Sequence, residues 1–328
     1  MSGVDAREDG SPWHEGERAV QRIVGVRDRI DPIGRRNIRS FMPDQHREFF
    51  AGLPFLVVGS VDKEGRPWAS ILSGPPGFAL SPDPQRLRID SLPTEGDPLN
   101  EALGVGAAVG LLGIDLATRR RNRMNGRIVE LDRGGFTVAV EQSFGNCAQY
   151  IQRRDHDGLF AISRACAKPL SALDEAAREL IRRADTCFVA SAASKDQQGG
   201  AVDVSHRGGR PGFLGIAGDG AIVVPDYRGN RYFNTLGNLM INPCAGLLLI
   251  DFDSGDLLQL TGTTEIVWDA PALRAFAGAE RLWRLIPTGG NRWRGGFPLR
   301  LRFREFSPAS LATGTWAEAG DRLAGPPP

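Results

Sequence analysis

Lysine is almost missing from this chain. Lys63, Lys168 and Lys195 stand against 37 arginines, so a single arginine says little and only spacing and context give one meaning. Long apolar runs are missing too. No stretch approaches the ~18 residues of a membrane span, so no membrane partner is expected. The four cysteines, Cys147, Cys166, Cys187 and Cys244, form no CxxC pair. That excludes the common zinc-knuckle and thioredoxin-like patterns and leaves no disulfide framework, which fits a reducing compartment. The four histidines, His14, His46, His156 and His206, show no metal-ligand spacing, and no metal is expected. No GxSxG elbow exists. GVGAAVG (104–110) has Val109 where a dinucleotide fingerprint needs its third glycine, and it precedes a strand instead of opening a helix. Excess charge is also lacking. A net charge of +1 gives no global reason to expect nucleic acid. The opening MSGVDAREDGSPWHEGER is acidic and polar, unlike a signal peptide, and a cytoplasmic protein is expected.

What is present is a chain of 328 residues, room for two domains of about 150. Residues 1–45 are polar and arginine-rich. Glu15 to Arg29 predicts an exposed helix, which DPIGRR (31–36) ends. Short β-type runs bounded by Gly and Pro follow, among them FLVVGSV (55–61), PWASILS (67–73), CFVASAA (187–193), AIVVP (221–225) and LLQLTGTTEIV (257–267). Ala172 to Ala184 has helical periodicity, with Leu173, Ala176, Ala177, Leu180 and Ile181 on one face. RRRNR (119–123) reads as a solvated hairpin turn. Trp283, Trp293 and Trp316 read as packing residues, Trp293 within a glycine-rich loop. The tail, Ala317 to Pro328, is expected to fray.

The chain repeats itself. PGF occurs at 76–78 and again at 211–213, 135 residues later. VGLLGID (109–115) matches AGLLLID (245–251), 136 residues later, and a glycine follows each aspartate at the same distance, Gly126 and Gly262. Landmarks at a near-constant offset indicate two copies of one β-rich domain. The expected organisation is an extension (1–45), copy one (46–165), copy two (166–312) and a tail (313–328). Like domains associate by isologous packing, so two copies in one chain predict an intramolecular pseudo-dimer. A monomer of that kind, or a homodimer of it, is expected.

Copy two carries the more informative polar pattern. AVDVSHRGG (201–209) ends a strand with Asp203, Ser205 and Arg207 on one face. Further on, DYRGNRYFNTLGNLMINP (226–243) places Arg228, Asn230 and Arg231 in a loop before a short helix from Tyr232 to Ile241. Asn234, Thr235 and Asn238 form one flank of that helix. A helix start behind an arginine- and glycine-containing loop is an anion cradle, because its free N–H groups and dipole favour negative charge. Arginine adds forked, charge-assisted hydrogen bonds suited to phosphate. The copy-one equivalent, DSLPTEGDPLNEALGVGA, carries Glu95 and Asp97 and no arginine, so its phosphate site reads as degenerate.

The order DVSxRG, PGF, PDxxGN, short helix, NP and xGLLxxDF resembles the pyridoxamine 5′-phosphate oxidase-like, FMN-binding split-barrel superfamily, nearest its uncharacterised bacterial subgroup. The resemblance spans most of 45–310 and is strongest from Asp185 to Val267. It implies a mainly β fold, a β-barrel with short helices, in which tandem split barrels pair with FMN at their interface. Carried onto this sequence, it implies phosphate contacts from Ser205, Arg207, Arg228, Asn230, Arg231, Asn234 and Thr235. Asp203 and Asn238 stand beside them. The best-known members have an Arg-Lys pair where this chain has Asn234-Thr235, so that role shifts to Arg228 and Arg231. SFGNCAQYIQRR (143–154) resembles a family segment at the barrel's end. There Asn146, Cys147, Gln149 and Tyr150 either reach the flavin ring or belong to a capped helix packed into the core. The resemblance implies an FMN-dependent oxidoreductase acting on a small-molecule substrate or electron donor. It also accommodates a non-catalytic flavin, haem or deazaflavin binder, and an electron-transfer module served by a separate reductase in trans. No catalytic acid or base is identified. Arg207→Ala is expected to weaken FMN binding at least tenfold in a fluorescence titration, since a charge-assisted contact is worth ~1.5–3 kcal/mol.

Overall fold

A computed structural model describes residues 10–159 and 166–324. Copy one contributes β1 (Phe55–Val61), β2 (Pro67–Ser73), β3 (Ala79–Asp83), β4 (Arg86–Ile89), β5 (Ala108–Asp115), β6 (Arg120–Asp132) and β7 (Gly135–Gly145). They lie in the order β2-β1-β5-β6-β7-β4-β3. Two short strands follow, β8 (Arg153–Leu159) and β9 (Ala167–Leu170). Copy two contributes β10 (Thr186–Ala192), β11 (Val202–Gly208), β12 (Gly215–Ile216), β13 (Ile222–Tyr227), β14 (Cys244–Ile250), β15 (Leu257–Val267) and β16 (Ala279–Trp293). Its order, β11-β10-β14-β15-β16-β13-β12, repeats that of copy one strand for strand. A last strand, β17 (Leu299–Glu305), pairs with β8, and β9 pairs with β16.

The apolar runs explain how the copies meet. β1 and β10 are buried along their whole length. Side chains alternate across a strand, so each run serves two cores. On β1, Leu56 and Val58 face copy one's own core, with Phe136 and Val138. Phe55 and Val57 face a cluster shared with Phe188, Ala190 and Val204 of copy two. On β10, Cys187 and Val189 face copy two's core, while Phe188 and Ala190 face the shared one.

Glycines set the closeness of that contact, and they obey the repeat. A Cβ on Gly110 would stand 2.8 Å from the Cα of Asp203, and one on Gly246 would stand 2.7 Å from the Cα of Trp68. Both pairs are related by the offsets of the repeat, so the two contacts are mirror images across a pseudo-two-fold axis.

Among the helices are α1 (Glu15–Ile23), α2 (Arg27–Asn37), α3 (Asp44–Ala51), α4 (Leu99–Ala102), α5 (Glu175–Arg183) and α6 (Asn234–Ile241). The helix expected near 172–184 is α5, started by Asp174, whose carboxylate accepts from the Ala177 N–H at 2.9 Å. Several expectations fail. The helix at Glu15 is not exposed: Gly16, Glu17, Val20 and Gln21 are buried, because α1 packs on α6. DPIGRR does not end a helix but lies inside α2. There Gly34 faces the Trp13 ring so closely that a Cβ would meet it at 2.2 Å, and tertiary packing overrides the proline. The tail does not fray through residue 323. Trp316 Nε1 donates to the Phe213 carbonyl at 3.0 Å, Arg210 Nη2 bonds Glu318 at 2.7 Å, and Ala319 is buried. The closing GPPP lies outside the described residues. Trp293 belongs to β16, not to a loop. No helix among the described residues is long and apolar enough to cross a membrane.

Gly110→Ala and Gly246→Ala should each destabilise the protein by about 1–3 kcal/mol through overpacking at the seam. Gly320→Ala, where a Cβ would meet nothing within 4 Å, should be neutral or stabilising in the same urea-unfolding series.

Candidate functional site: an arginine cleft between the two copies

β11 is the edge strand of the copy-two sheet, and copy one packs β1, β5 and β6 against it. Alternation on β6 sends Arg121, Arg123 and Asn125 toward copy two. Arg123 is buried and crosses the seam. Its Nε donates to the Val204 carbonyl at 3.1 Å, Nη2 to Ser205 Oγ at 2.7 Å and Nη1 to Asn234 Oδ1 at 2.7 Å. The Asp203 carboxylate, 3.0 Å away, neutralises it. Arg121 donates through Nε to the Cys147 carbonyl at 2.9 Å and lies 3.2 Å from His206 Nδ1. RRRNR is therefore not a solvated turn; only Arg119 belongs to the turn, and the rest starts β6.

These arginines open onto a cleft of about 90 Å³, room for a phosphate-sized anion. Copy one supplies Arg121, Arg123, Asn146, Cys147 and Tyr150 to its lining; copy two supplies Ser205, Arg207, Asn230, Arg231 and Thr235. Arg207 pairs with Asp226 at 3.2 Å, and Arg231 with Glu280 at 2.7 Å. Arg281 ties those carboxylates together, at 2.5 and 3.1 Å. Even so, buried donors are left over: Nε of Arg207, Nε of Arg231 and Nδ2 of Asn146 have no partner. α6 begins beside them with no side-chain cap. The backbone is forced to expose this helix start: Arg231 and Phe233 take φ of +62° and +63°, in the left-handed region that disfavours such residues. Unpaired cationic donors around an uncapped helix N-terminus are suited to holding an anion.

The electrostatics agree. Burial lowers the pKa of both Arg121 and Arg123, and neighbouring guanidinium groups, Arg207 among them, lower it further. An incoming anion relieves that repulsion. Burial, then Arg121, Arg207 and Arg154, hold His206 well below the usual histidine range, so it is neutral near pH 7. A guanidinium only donates, so His206 Nδ1 accepts from Arg121 and Nε2 carries the hydrogen.

Of the residues singled out from sequence, Ser205, Arg207, Asn230, Arg231, Asn234, Thr235 and Tyr150 line this cleft. Thr235 Oγ1 donates to Ser205 Oγ at 2.9 Å, and Tyr150 stacks on Tyr227 at 5.0 Å. Asp203 and Asn238 line a small pocket behind it instead. Asp203 is the counter-ion of Arg123, and Asn238 bonds Ser191 and the Ala201 carbonyl at 3.1 and 3.0 Å. Arg228 and Gln149 are exposed and outside the cleft lining. The segment after Gly145 forms a turn, not a helix. Sequence reasoning missed Arg121 and Arg123. Their i, i+2 spacing was the available signal.

The repeat allows a direct comparison with the other side of the axis. At the offset of the repeat, Gln259 stands for Arg123. Its Nε2 donates to the Ala69 carbonyl (3.2 Å), Ser70 Oγ (3.2 Å) and Asp97 Oδ2 (2.9 Å). These correspond to the three hydrogen-bond partners of Arg123, while Trp68 stands at the repeat offset from its ion-pair partner Asp203. Leu72 stands for Arg207 and Leu257 for Arg121, and the buried Trp293 indole donates to Gln259 Oε1 at 2.8 Å. The equivalent position across the axis thus keeps the scaffold of the site and none of its cations.

Two equivalent antiparallel barrel domains, paired about a pseudo-two-fold axis with an arginine-lined cleft at the seam, define a tandem-duplicated split barrel. The pyridoxamine 5′-phosphate oxidase family model matches the chain twice, over residues 42–164 and 173–293, and the chain belongs to that family. No curated protein matches it significantly. Among solved structures, HupZ of Group A Streptococcus is 14% identical over 35% of this chain and 89% of its own, with a TM-score of 0.28. HutZ, the heme storage protein from Vibrio cholerae, is 17% identical over 35% of this chain and 90% of its own, with a TM-score of 0.24. Scores so low carry no argument about function.

Arg123→Ala leaves Asp203 buried without its cation and should cost about 3–5 kcal/mol in urea unfolding. Gln259→Ala, at the mirror position, removes only neutral hydrogen bonds and should cost about 1–3 kcal/mol.

Proposed function

We propose that this protein binds FMN, with the phosphate in the arginine cleft, and acts as a flavin-dependent oxidoreductase. The observation that carries this reading is the set of unpartnered arginine donors around the uncapped start of α6. The fit is chemical. Arg207 and Arg231 offer unused N–H groups, and Asn234, Thr235 and Leu236 at the uncapped start of α6 line the same space. When bound, the flavin supplies hydride exchange at N5; the protein supplies binding, orientation and the field around the ring. Copy one forms the opposite wall, where Asn146, Cys147 and Tyr150 orient whatever enters and exclude water from one side. Tyr150 is held in place by its hydroxyl, which donates to the Arg228 carbonyl at 3.1 Å. Burial pushes its pKa up, so it stays a neutral hydrogen-bonding group. His206, neutral and lining the cleft, offers an N–H and no charge. A small-molecule donor or a separate reductase would supply the reducing equivalents.

Purified protein should show flavin absorption in the visible, and apo protein should bind FMN with micromolar or tighter affinity. A Soret band, or deazaflavin binding without FMN binding, would replace this reading with that of a haem or deazaflavin binder. If FMN, haem and deazaflavin all fail to bind, all three readings fall.

A further inference from the structure

The N-terminal segment precedes the residues matched by the family model, yet it is wedged against the cleft. α1 meets α6 so closely that a Cβ on Gly16 would stand 2.0 Å from the Gly237 carbonyl oxygen. The same segment grips Tyr232 in the loop before α6. Trp13 meets the Tyr232 ring edge-on at 4.8 Å, Gln21 Nε2 donates to its carbonyl at 3.3 Å, and Asn37 Nδ2 donates to its hydroxyl at 3.4 Å. On the other side, Gln142 of β7 donates to the Pro12 carbonyl at 3.0 Å. The segment straps the anion loop of copy two to a strand of copy one.

Glu17 is the residue that packing alone does not explain. It is 4% exposed, and burial raises its pKa, so keeping a carboxylate there costs stability. Its carboxylate accepts from the His14 backbone N–H at 3.0 Å and from Asn234 Nδ2. Asn234 uses its other amide atom, Oδ1, to accept from Arg123. A carboxylate accepts and does not donate, so Glu17 draws the NH₂ of Asn234 to itself and leaves the oxygen for Arg123. The amide has one orientation because Glu17 permits only one.

We propose that Glu17 is a positioning residue of the anion site, acting through Asn234 on Arg123, and that the N-terminal helices form a clamp holding the two walls of the cleft together. This deepens the phosphate-site reading and rests on it. Across the axis, Gln259 of copy two meets Asp97 of copy one, so there the carboxylate is already in the loop. Copy two carries the amide Asn234 at that place and takes its carboxylate from the N-terminal helix.

The test uses the full chain, with FMN and inorganic phosphate as separate probes. Glu17→Ala should weaken both about fivefold or more, the worth of one good hydrogen bond. Glu17→Gln, which keeps an acceptor for Asn234, should stay within about twofold. In an Asn234→Ala background, Glu17→Ala should have no further effect, because the two residues act in series. Val20→Ala, which weakens the packing of α1 without touching Asn234, should lower the melting temperature and weaken affinity less than Glu17→Ala does. Glu17→Met keeps the volume and serves if Glu17→Ala does not fold. Unchanged affinity in folded Glu17→Ala or Glu17→Met, or additive effects in the double variant, overturns the clamp and leaves FMN binding standing. Phosphate binding that depends on Glu17, without FMN binding, keeps the clamp and removes the flavin. Binding of neither probe removes both.

Discussion

The reach of Arg123 across the seam is the interaction on which the rest depends. A buried guanidinium is tolerable only with a counter-ion and filled hydrogen bonds, and it finds both in the other copy. Asp203 gives the charge; Val204, Ser205 and Asn234 give the acceptors. All four belong to copy two. Docking of the copies and assembly of the cleft are therefore the same event. The planar fork of arginine makes this possible, since one side chain holds a strand edge and a helix start at fixed separation.

Duplication within one chain removed the need for two equal sites. In a symmetric pair each substitution appears on both sides of the axis. Here Arg123 and Gln259 have diverged while keeping equivalent partners. Glutamine makes neutral versions of the same bonds, so the seam holds on both sides. Leu72, Leu257 and Trp293 then close the copy-one side with apolar surface, and positive charge is concentrated on one side only.

That concentration is itself unfavourable, and the surroundings show how it is tolerated. Asp226 and Glu280 neutralise part of the charge and lock Arg207, Arg231 and Arg281 into a chain of ion pairs. The left-handed residues before α6 hold the helix start open toward the same space. The N-terminal helices cover the back, with Glu17 supplying a further buried carboxylate. Strain, repulsion and unfilled donors gather at one place, as expected where binding matters more than stability.

Periodicity and the repeat were enough to read two β-rich copies, their pairing and the copy that kept its positive charge. The loop and strand end of copy two, from Ser205 and Arg207 to Asn230, Arg231 and Thr235, were legible because helix starts and arginines are local signals. Arg121 and Arg123 were not. Their run looked like a solvated turn, since alternation tells which residues share a face and not which body that face will meet. For the same reason Glu15 to Arg29 read as exposed: the glycine contact that buries α1 against α6 joins residues 16 and 237, and no local pattern reports it. Sequence by itself determined the main strands, the duplication and the chemistry of one wall. Only the tertiary structure decided that the opposite wall comes from copy one and its backing from the N-terminus, because burial of charge across a seam depends on partners far away in the chain.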